Sequence, residues 1–329
     1  MSKLGIGFIG AGGIHNAHAP SLVDNPDAYI ACVMDVNPEA CKKHCEQYGT
    51  KNWTTEVDEL LAREDVNAVI ICTPTGLHKD MVLKAAAAGK HIFCEKPMAM
   101  SVEDCELMDA ACKDAGVVLQ IGFVRHFCNE WLKLRELIQS GIIGRPVQWR
   151  SVSGSSGAPT PWFFDKELGG GPFIDGAVHS YDWARYIFGE ATNVVTDIRK
   201  LKADTTAWDT GTVIVNFASG DQQLIIWSWG LPGMGGKVSA DSAHDVLGPL
   251  GAITFPGGNQ LKVHLEDGEQ LIDFEGDTGG DWFRKQMANF IECCQTGAQP
   301  IAGAKEGLEA TRIAEAALSV GARPAIIVL

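Results

Sequence analysis

Five short apolar runs punctuate the first 123 residues: LGIGFIG, AYIACVMD, NAVIICTP, HIFCEKP and VVLQIGF. Between them lie stretches with helical spacing: NPEACKKHCEQYG, TEVDELLARED, GLHKDMVLKAAAAGK and SVEDCELMDAACKDAG. Strands of near-continuous Val, Ile and Leu are apolar on both faces, so they must be covered on both faces. Alternation with amphipathic helices therefore predicts a doubly wound parallel sheet, and few other folds satisfy the pattern.

The first run leads into GFIGAGGIHNAH. Gly10, Gly12 and Gly13, with Ile14 after them, allow a tight turn whose backbone can approach a pyrophosphate at the start of a helix. The usual third glycine is His15, a departure that puts close helix packing in question. Asp35 ends the second run about 23 residues after Gly12. An acid there accepts hydrogen bonds from the adenosine ribose hydroxyls and repels a 2′-phosphate, which favours NAD over NADP.

The second half changes character. A helix over NEWLKLRELIQSGIIG, the stretch RPVQWRSVSG and a glycine-led helix precede a run of alternating strands: TNVVTDIRK, DTGTVIVNFASG, QQLIIWSWG, GAITFPGG, QLKVHLEDG and EQLIDFEG. Short turns between most of them suit antiparallel pairing. Helices over DWFRKQMANFIECCQTG and KEGLEATRIAEAALSVG close the chain, and SVSGSSGAPTP and residues 230–240 read as loops. A length of 329 residues suits two domains, with expected spans of 1–122 for a Rossmann domain and 123–329 for an α/β domain that binds substrate. The net charge of −14 and the lack of a Lys/Arg run argue against nucleic acid and anionic membrane surfaces. No apolar stretch is long enough to span a bilayer. Ten cysteines lie mostly in apolar or helical segments and do not form a disulfide framework, so reduced thiols and a cytoplasmic setting are expected. Cys41, His44 and Cys45 read as helix residues, and no metal site is expected.

Ligands of a doubly wound sheet bind at the carboxyl ends of its strands. Those ends carry Thr73-Pro74-Thr75 with His78, Glu95-Lys96-Pro97, and Gly122-Phe123-Val124-Arg125. A lysine fixed at the end of an apolar strand is partly desolvated, which suits proton transfer near neutral pH. GGGPFIDGAVHSYDWARYIFG, residues 169–189, reads as a helix entered at Pro172 and stopped at Gly189. On it Ile174, Ala177, Val178, Tyr181, Arg185 and Phe188 share an apolar face. Asp175, His179, Asp182 and Tyr186 form an ionisable stripe beside it.

GAGGIHNAH, CTPTGLH, CEKPMAMS, GFVRHF and the glycine-led helix occur in an order and spacing that resemble the Gfo/Idh/MocA oxidoreductases, a family named for glucose–fructose oxidoreductase, inositol dehydrogenase and rhizopine catabolism. The resemblance covers the whole chain. It implies a Rossmann domain followed by an α/β domain with a large, open, mainly antiparallel sheet that often forms a homodimer or homotetramer interface. It implies NAD held by the glycine turn, Asp35, Thr73, Pro74, Thr75, His78, Glu95 and Lys96, and a cis Lys96–Pro97 bond. It also implies that Lys96, Asp175 and His179 surround the reacting carbon, with Arg125 in the substrate pocket. His179 is then the expected base, Lys96 the group that orients the hydroxyl and stabilises its alkoxide, and Asp175 a binder of the neighbouring hydroxyl. Either Lys96 or His179 could take the proton. Asp182 is expected to be structural, pairing Arg185 or Arg125.

The reaction so implied is hydride transfer between NAD and a secondary alcohol of a sugar, inositol or glycoside. Two alternatives stand beside it: an enzyme that retains NAD and oxidises a glycoside transiently in order to cleave or epimerise it, and a non-catalytic NAD- or sugar-binding protein. Trp162-Phe163 and His126-Phe127-Cys128 depart from the family pattern. Trp227 and Trp229 share a strand face, as a sugar platform or as packing, and His244 lies near expected substrate-contacting positions.

Overall fold

The structure, a computed structural model, describes residues 3–319 and 325–329. Among them, β1 (Leu4–Ile9), β2 (Ala28–Met34), β3 (Trp53–Thr54), β4 (Ala68–Ile71), β5 (His91–Cys94) and β6 (Leu119–Ile121) form one parallel sheet in the order β3-β2-β1-β4-β5-β6. This is the doubly wound order. The order reverses between β1 and β4, the switch point beyond whose strand ends doubly wound sheets bind ligands. The covering helices start and stop where local chemistry dictates. Pro38–Tyr48 is capped by the Asn37 side chain and ended by left-handed Gly49; Val102–Ala115 is capped by Ser101 and ended by Gly116.

A second sheet contains β7 (Gln148–Gly154), β8 (Ala191–Arg199), β9 (Thr210–Phe217), β10 (Gln222–Ser228), β11 (Ala243–Gly248), β12 (Gly251–Thr254), β13 (Gln260–Leu265), β14 (Gly268–Asp273) and β15 (Ala325–Val328), in the order β14-β13-β12-β11-β7-β10-β9-β8-β15. It is open and mainly antiparallel, as expected. The exception is the parallel pair β7–β10: after β7 the chain passes through the glycine-led helix, re-enters the sheet as β8, and comes back beside β7 through the antiparallel run β8-β9-β10. The sequence pattern does not announce β3, β7, β11 or β15 as strands. The last expected helix is found as Ala304–Leu318; residues 320 and 321 of its expected span lie outside the described residues.

The chain divides into two compact units. One runs up to Phe127 and also takes in Thr278–Leu308; the other comprises Cys128–Asp277 and the chain from Glu309 onward. The first unit thus includes a segment from late in the chain. The reason is visible in its core. Met287, Phe290 and Ile291 of helix Gly279–Thr296 are buried in one cluster with Ile6, Phe8, Val33, Ile70 and Phe93. In the second unit, helix Val178–Phe188 packs Phe188 on Phe217 of β9, and Trp183 on Trp131, which in turn meets Trp149 of β7. No helix among the described residues is long and apolar enough to cross a membrane.

Candidate active site

In the first unit the glycine turn divides its labour. Gly10 has φ +98°, and a Cβ there would come within 2.9 Å of the Cys72 carbonyl, so the close approach of β1 to the β4 end requires glycine. Gly12 and Gly13 are exposed, and a Cβ on either would meet no protein atom within 4 Å. The space beside them is open to a ligand, which is what a pyrophosphate cradle needs. Asp35 ties the turn to its own loop. Its carboxylate accepts the Ala11 N–H at 2.7 Å and the Asn37 N–H at 2.8 Å. Each oxygen keeps a lone pair for a further donor, so the ribose role expected of Asp35 is compatible with these bonds.

The expected helix after the turn is one turn long, His15–His18, and continues as a short 3-10 segment, Ala19–Ser21. His15, at the third-glycine position, is buried. Its Nδ1 donates to the Gly12 carbonyl, and its ring packs against Phe8, His44 and Tyr48. An aromatic cluster thus replaces the close backbone packing a glycine would allow. His44 bonds Thr50 Oγ1 at 3.1 Å, and Cys41 Sγ donates to the carbonyls of Asp35 and Thr54. Among the described residues no His, Cys, Asp and Glu group is arranged to hold a metal, and none of the ten cysteines is in a disulfide.

Burial pushes the His44 imidazole down from 6.5 to about 4, reinforced by neighbouring His15. Because the folded value lies below the unfolded one, this contribution to stability is complete above about pH 6.5 and is lost as pH falls towards 4. The expected loss is roughly 3 kcal/mol. Urea unfolding at pH 7 and pH 4.5 should show a shallower pH dependence for His44→Gln than for the parent chain. Equal dependence in the two would remove His44 as the cause.

Thr73, Pro74 and Thr75 follow β4, and Lys96 is half-buried after β5. The Lys96–Pro97 bond is cis. His78 does not face a ligand with a spare nitrogen: Nδ1 lies 2.8 Å from the Pro97 carbonyl and Nε2 2.9 Å from the Thr73 carbonyl, and the ring is buried. It clamps the two strand-end loops together. Burial lowers its basicity, opposed by the two carbonyls. Glu95 is likewise turned inward, where its carboxylate is held by His18, a residue that the sequence reading did not single out. The side chains of His78 and Glu95 thus support the loops that carry Thr73 and Lys96. Arg125 lies half-buried in the short 3-10 segment Val124–Phe127.

In the second unit the glycine-led segment is not one regular helix. Pro172–Gly176 is a π turn, with the Ala177 N–H reaching back five residues to the Pro172 carbonyl at 2.7 Å, and the α-helix begins only at Val178. Three glycines make the turn possible. Gly170 and Gly171 have positive φ, and a Cβ on Gly171 would collide with the Trp208 carbonyl. At Gly176 a Cβ would touch the indoles of both Trp227 and Trp229 at 3.1–3.3 Å. The two tryptophans do share a face, and they use it to pack beneath the turn. Asp175 is buried on the π turn and His179 is half-buried on the α-helix, so a regular α-helical turn does not relate them. Such π turns recur at functional sites because the extra residue re-aims a side chain. The apolar face is broader than expected, with Trp183, Ala184 and Ile187 also buried. Arg185 pairs with Glu190 rather than Asp182. Tyr186 accepts from Arg135 at 3.1 Å. Trp162 stacks on Phe163 at 3.7 Å, and His244 packs on Phe255 at 3.8 Å.

Comparison with known proteins agrees with this geometry. Residues 4–123 match the profile of an oxidoreductase family with an NAD-binding Rossmann fold, and residues 131–254 match a GFO/IDH/MocA C-terminal domain. Myo-inositol 2-dehydrogenase of Thermotoga maritima is 30% identical over 324 residues, covering 95% of this chain and 94% of that protein. Inositol 2-dehydrogenase of Rhizobium meliloti is 30% identical and covers 95% of each. Among solved structures, aldose–aldose oxidoreductase from Caulobacter crescentus complexed with glycerol is 28% identical over the full length of both chains, with a TM-score of 0.83.

Proposed function

The chain belongs to the Gfo/Idh/MocA family of NAD-binding oxidoreductases, and from that premise we propose that it oxidises a secondary alcohol of an inositol, sugar or glycoside. The observation that carries the substrate class is the match, across nearly the whole chain, to two inositol 2-dehydrogenases. When bound, NAD supplies the hydride acceptor. The open backbone at Gly12 and Gly13 and the acid at Asp35 fit its pyrophosphate and ribose, and Asp35 disfavours a 2′-phosphate.

The chain's own residues handle the proton. His179 is the base for the substrate hydroxyl. Lys96 orients that oxygen and stabilises the charge it acquires, as a cation fixed beside a developing alkoxide does. Asp175 accepts a hydrogen bond from the neighbouring hydroxyl, and Arg125 adds a substrate contact. The exposed Ile226 of β10 and Val152 of β7 are register partners on one sheet face, which supports assembly as a homodimer or homotetramer through that face. Ten cysteines without a disulfide support a reducing, cytoplasmic setting.

The likeness to a protein named as an aldose–aldose oxidoreductase favours a second reading, in which retained NAD oxidises a glycoside transiently so that it can be cleaved or epimerised with no net redox change. Absorbance at 340 nm separates the two when purified protein is given a panel of inositols, sugars and glycosides, with and without added NAD. Sustained NADH formation with one polyol class, only when NAD is supplied, is the expected result. A small stoichiometric rise without added NAD, accompanied by continued product formation, would replace it with the second reading. Binding of NAD without conversion of any compound would leave a binding protein.

A further inference from the structure

The loop that carries Lys96 is anchored from beneath by a buried polar pair. Glu95 is 5% exposed and His18 fully buried. His18 Nε2 donates to Glu95 Oε1 at 2.5 Å, and Glu95 Oε2 accepts the backbone N–H of Lys96 at 3.1 Å. Gly122, just past β6, is pressed so closely on this carboxylate that a Cβ would come within 2.9 Å of its carbon and both oxygens. The His18 ring is wedged edge-on between Phe93 and Phe283, at 4.9 and 5.0 Å. Neither partner has room to swing. His18 also ends the single helical turn that follows the glycine turn, so one short contact joins the proposed pyrophosphate cradle to the backbone of the lysine. Stability alone is a poor reason for such a pair, because two well-packed apolar side chains of similar volume serve a buried site at least as well.

We propose that His18 is a positioning residue for the reaction: acting through Glu95, it fixes the backbone at Lys96 and so aims the lysine side chain. The inference rests on the reading of Lys96 as the group beside the reacting oxygen.

Three chains test it: the parent, His18→Phe, and His18→Gln, whose amide nitrogen can still donate to Glu95. Two readouts are needed. One is steady-state kinetics with the NAD dissociation constant. The other is the NMR signal of ¹³C-methylated Lys96, assigned with Lys96→Arg and recorded without substrate. In His18→Phe the expected result is a kcat lower by about tenfold to a hundredfold, the cost of a misplaced catalytic group, with KM for the polyol and NAD affinity little changed. The Lys96 signal should shift and broaden. His18→Gln should recover most of both. An unmoved Lys96 signal with unchanged kcat in His18→Phe would overturn the proposal. So would a His18→Gln chain no better than His18→Phe, since His18 would then be scaffold only. If the parent converts no polyol, the functional reading falls by itself, and the Lys96 signal still decides the role of His18.

Discussion

Lys96→Ala is expected to lower kcat/KM for polyol oxidation about a thousandfold, or roughly 4 kcal/mol of transition-state stabilisation, while NAD still binds. The size follows from what the lysine does. A cation held beside an oxygen that becomes an alkoxide gains interaction as the reaction proceeds, so its loss falls on kcat more than on KM. Lys96→Arg sharpens the assignment. Arginine keeps the charge but does not give up a proton. With His179 as the base, Arg should restore about tenfold of the loss by charge stabilisation. If it restores nothing while His179→Asn remains active, Lys96 is the base and the roles are exchanged. Stopped-flow NADH formation with each variant decides between these outcomes.

Gly10→Val and Gly12→Val should part company, although both sit in the same turn. Gly10 combines φ +98° with a backbone carbonyl 2.9 Å from its missing Cβ. Valine there must strain its own backbone and push β1 away from the β4 end, at an expected cost of roughly 3–5 kcal/mol. Gly12 has no neighbour within 4 Å of a Cβ and no positive φ. Valine there should leave stability within about 1 kcal/mol of the parent, yet weaken NAD about a hundredfold by filling the cradle. Thermal melts with and without NAD separate the two effects. The parent should gain stability with NAD, Gly12→Val should melt like the NAD-free parent with or without NAD, and Gly10→Val should melt early in both conditions. NAD stabilisation retained in Gly12→Val would mean that the open space beside the turn is not the cofactor site.

Much of this was legible because the responsible signals are local. The apolar runs from LGIGFIG to VVLQIGF became β1, β2, β4, β5 and β6, since a strand buried on both faces needs no partner to announce itself. The turn glycines and the strand-end residues followed from the same runs. What escaped was set by distant parts of the chain. The π turn at Pro172–Gly176 depends on Trp208, Trp227 and Trp229 crowding its glycines, which the 3.6-residue period cannot report. β15 pairs with β8 from the far end of the sequence, and β7 takes β10 as a parallel neighbour across the glycine-led helix. Arg185 found Glu190, five residues on, rather than Asp182 within its own helix. Glu95 and His78 were picked out for their positions, but their inward bonds depend on His18 and Pro97, to which no sequence spacing points.

The return of residues 278–308 to the first unit has a consequence for how the chain is made. Met287, Phe290 and Ile291 fill the same core as Ile6 and Phe8. At about 5–20 residues per second, a ribosome needs roughly 15–60 s after starting the first strand before it has made them. Until then the nascent Rossmann sheet exposes the apolar face that this helix covers. The nucleotide half, first in sequence, is thus among the last parts to close, and a chain released early would present bare core to chaperones and proteases.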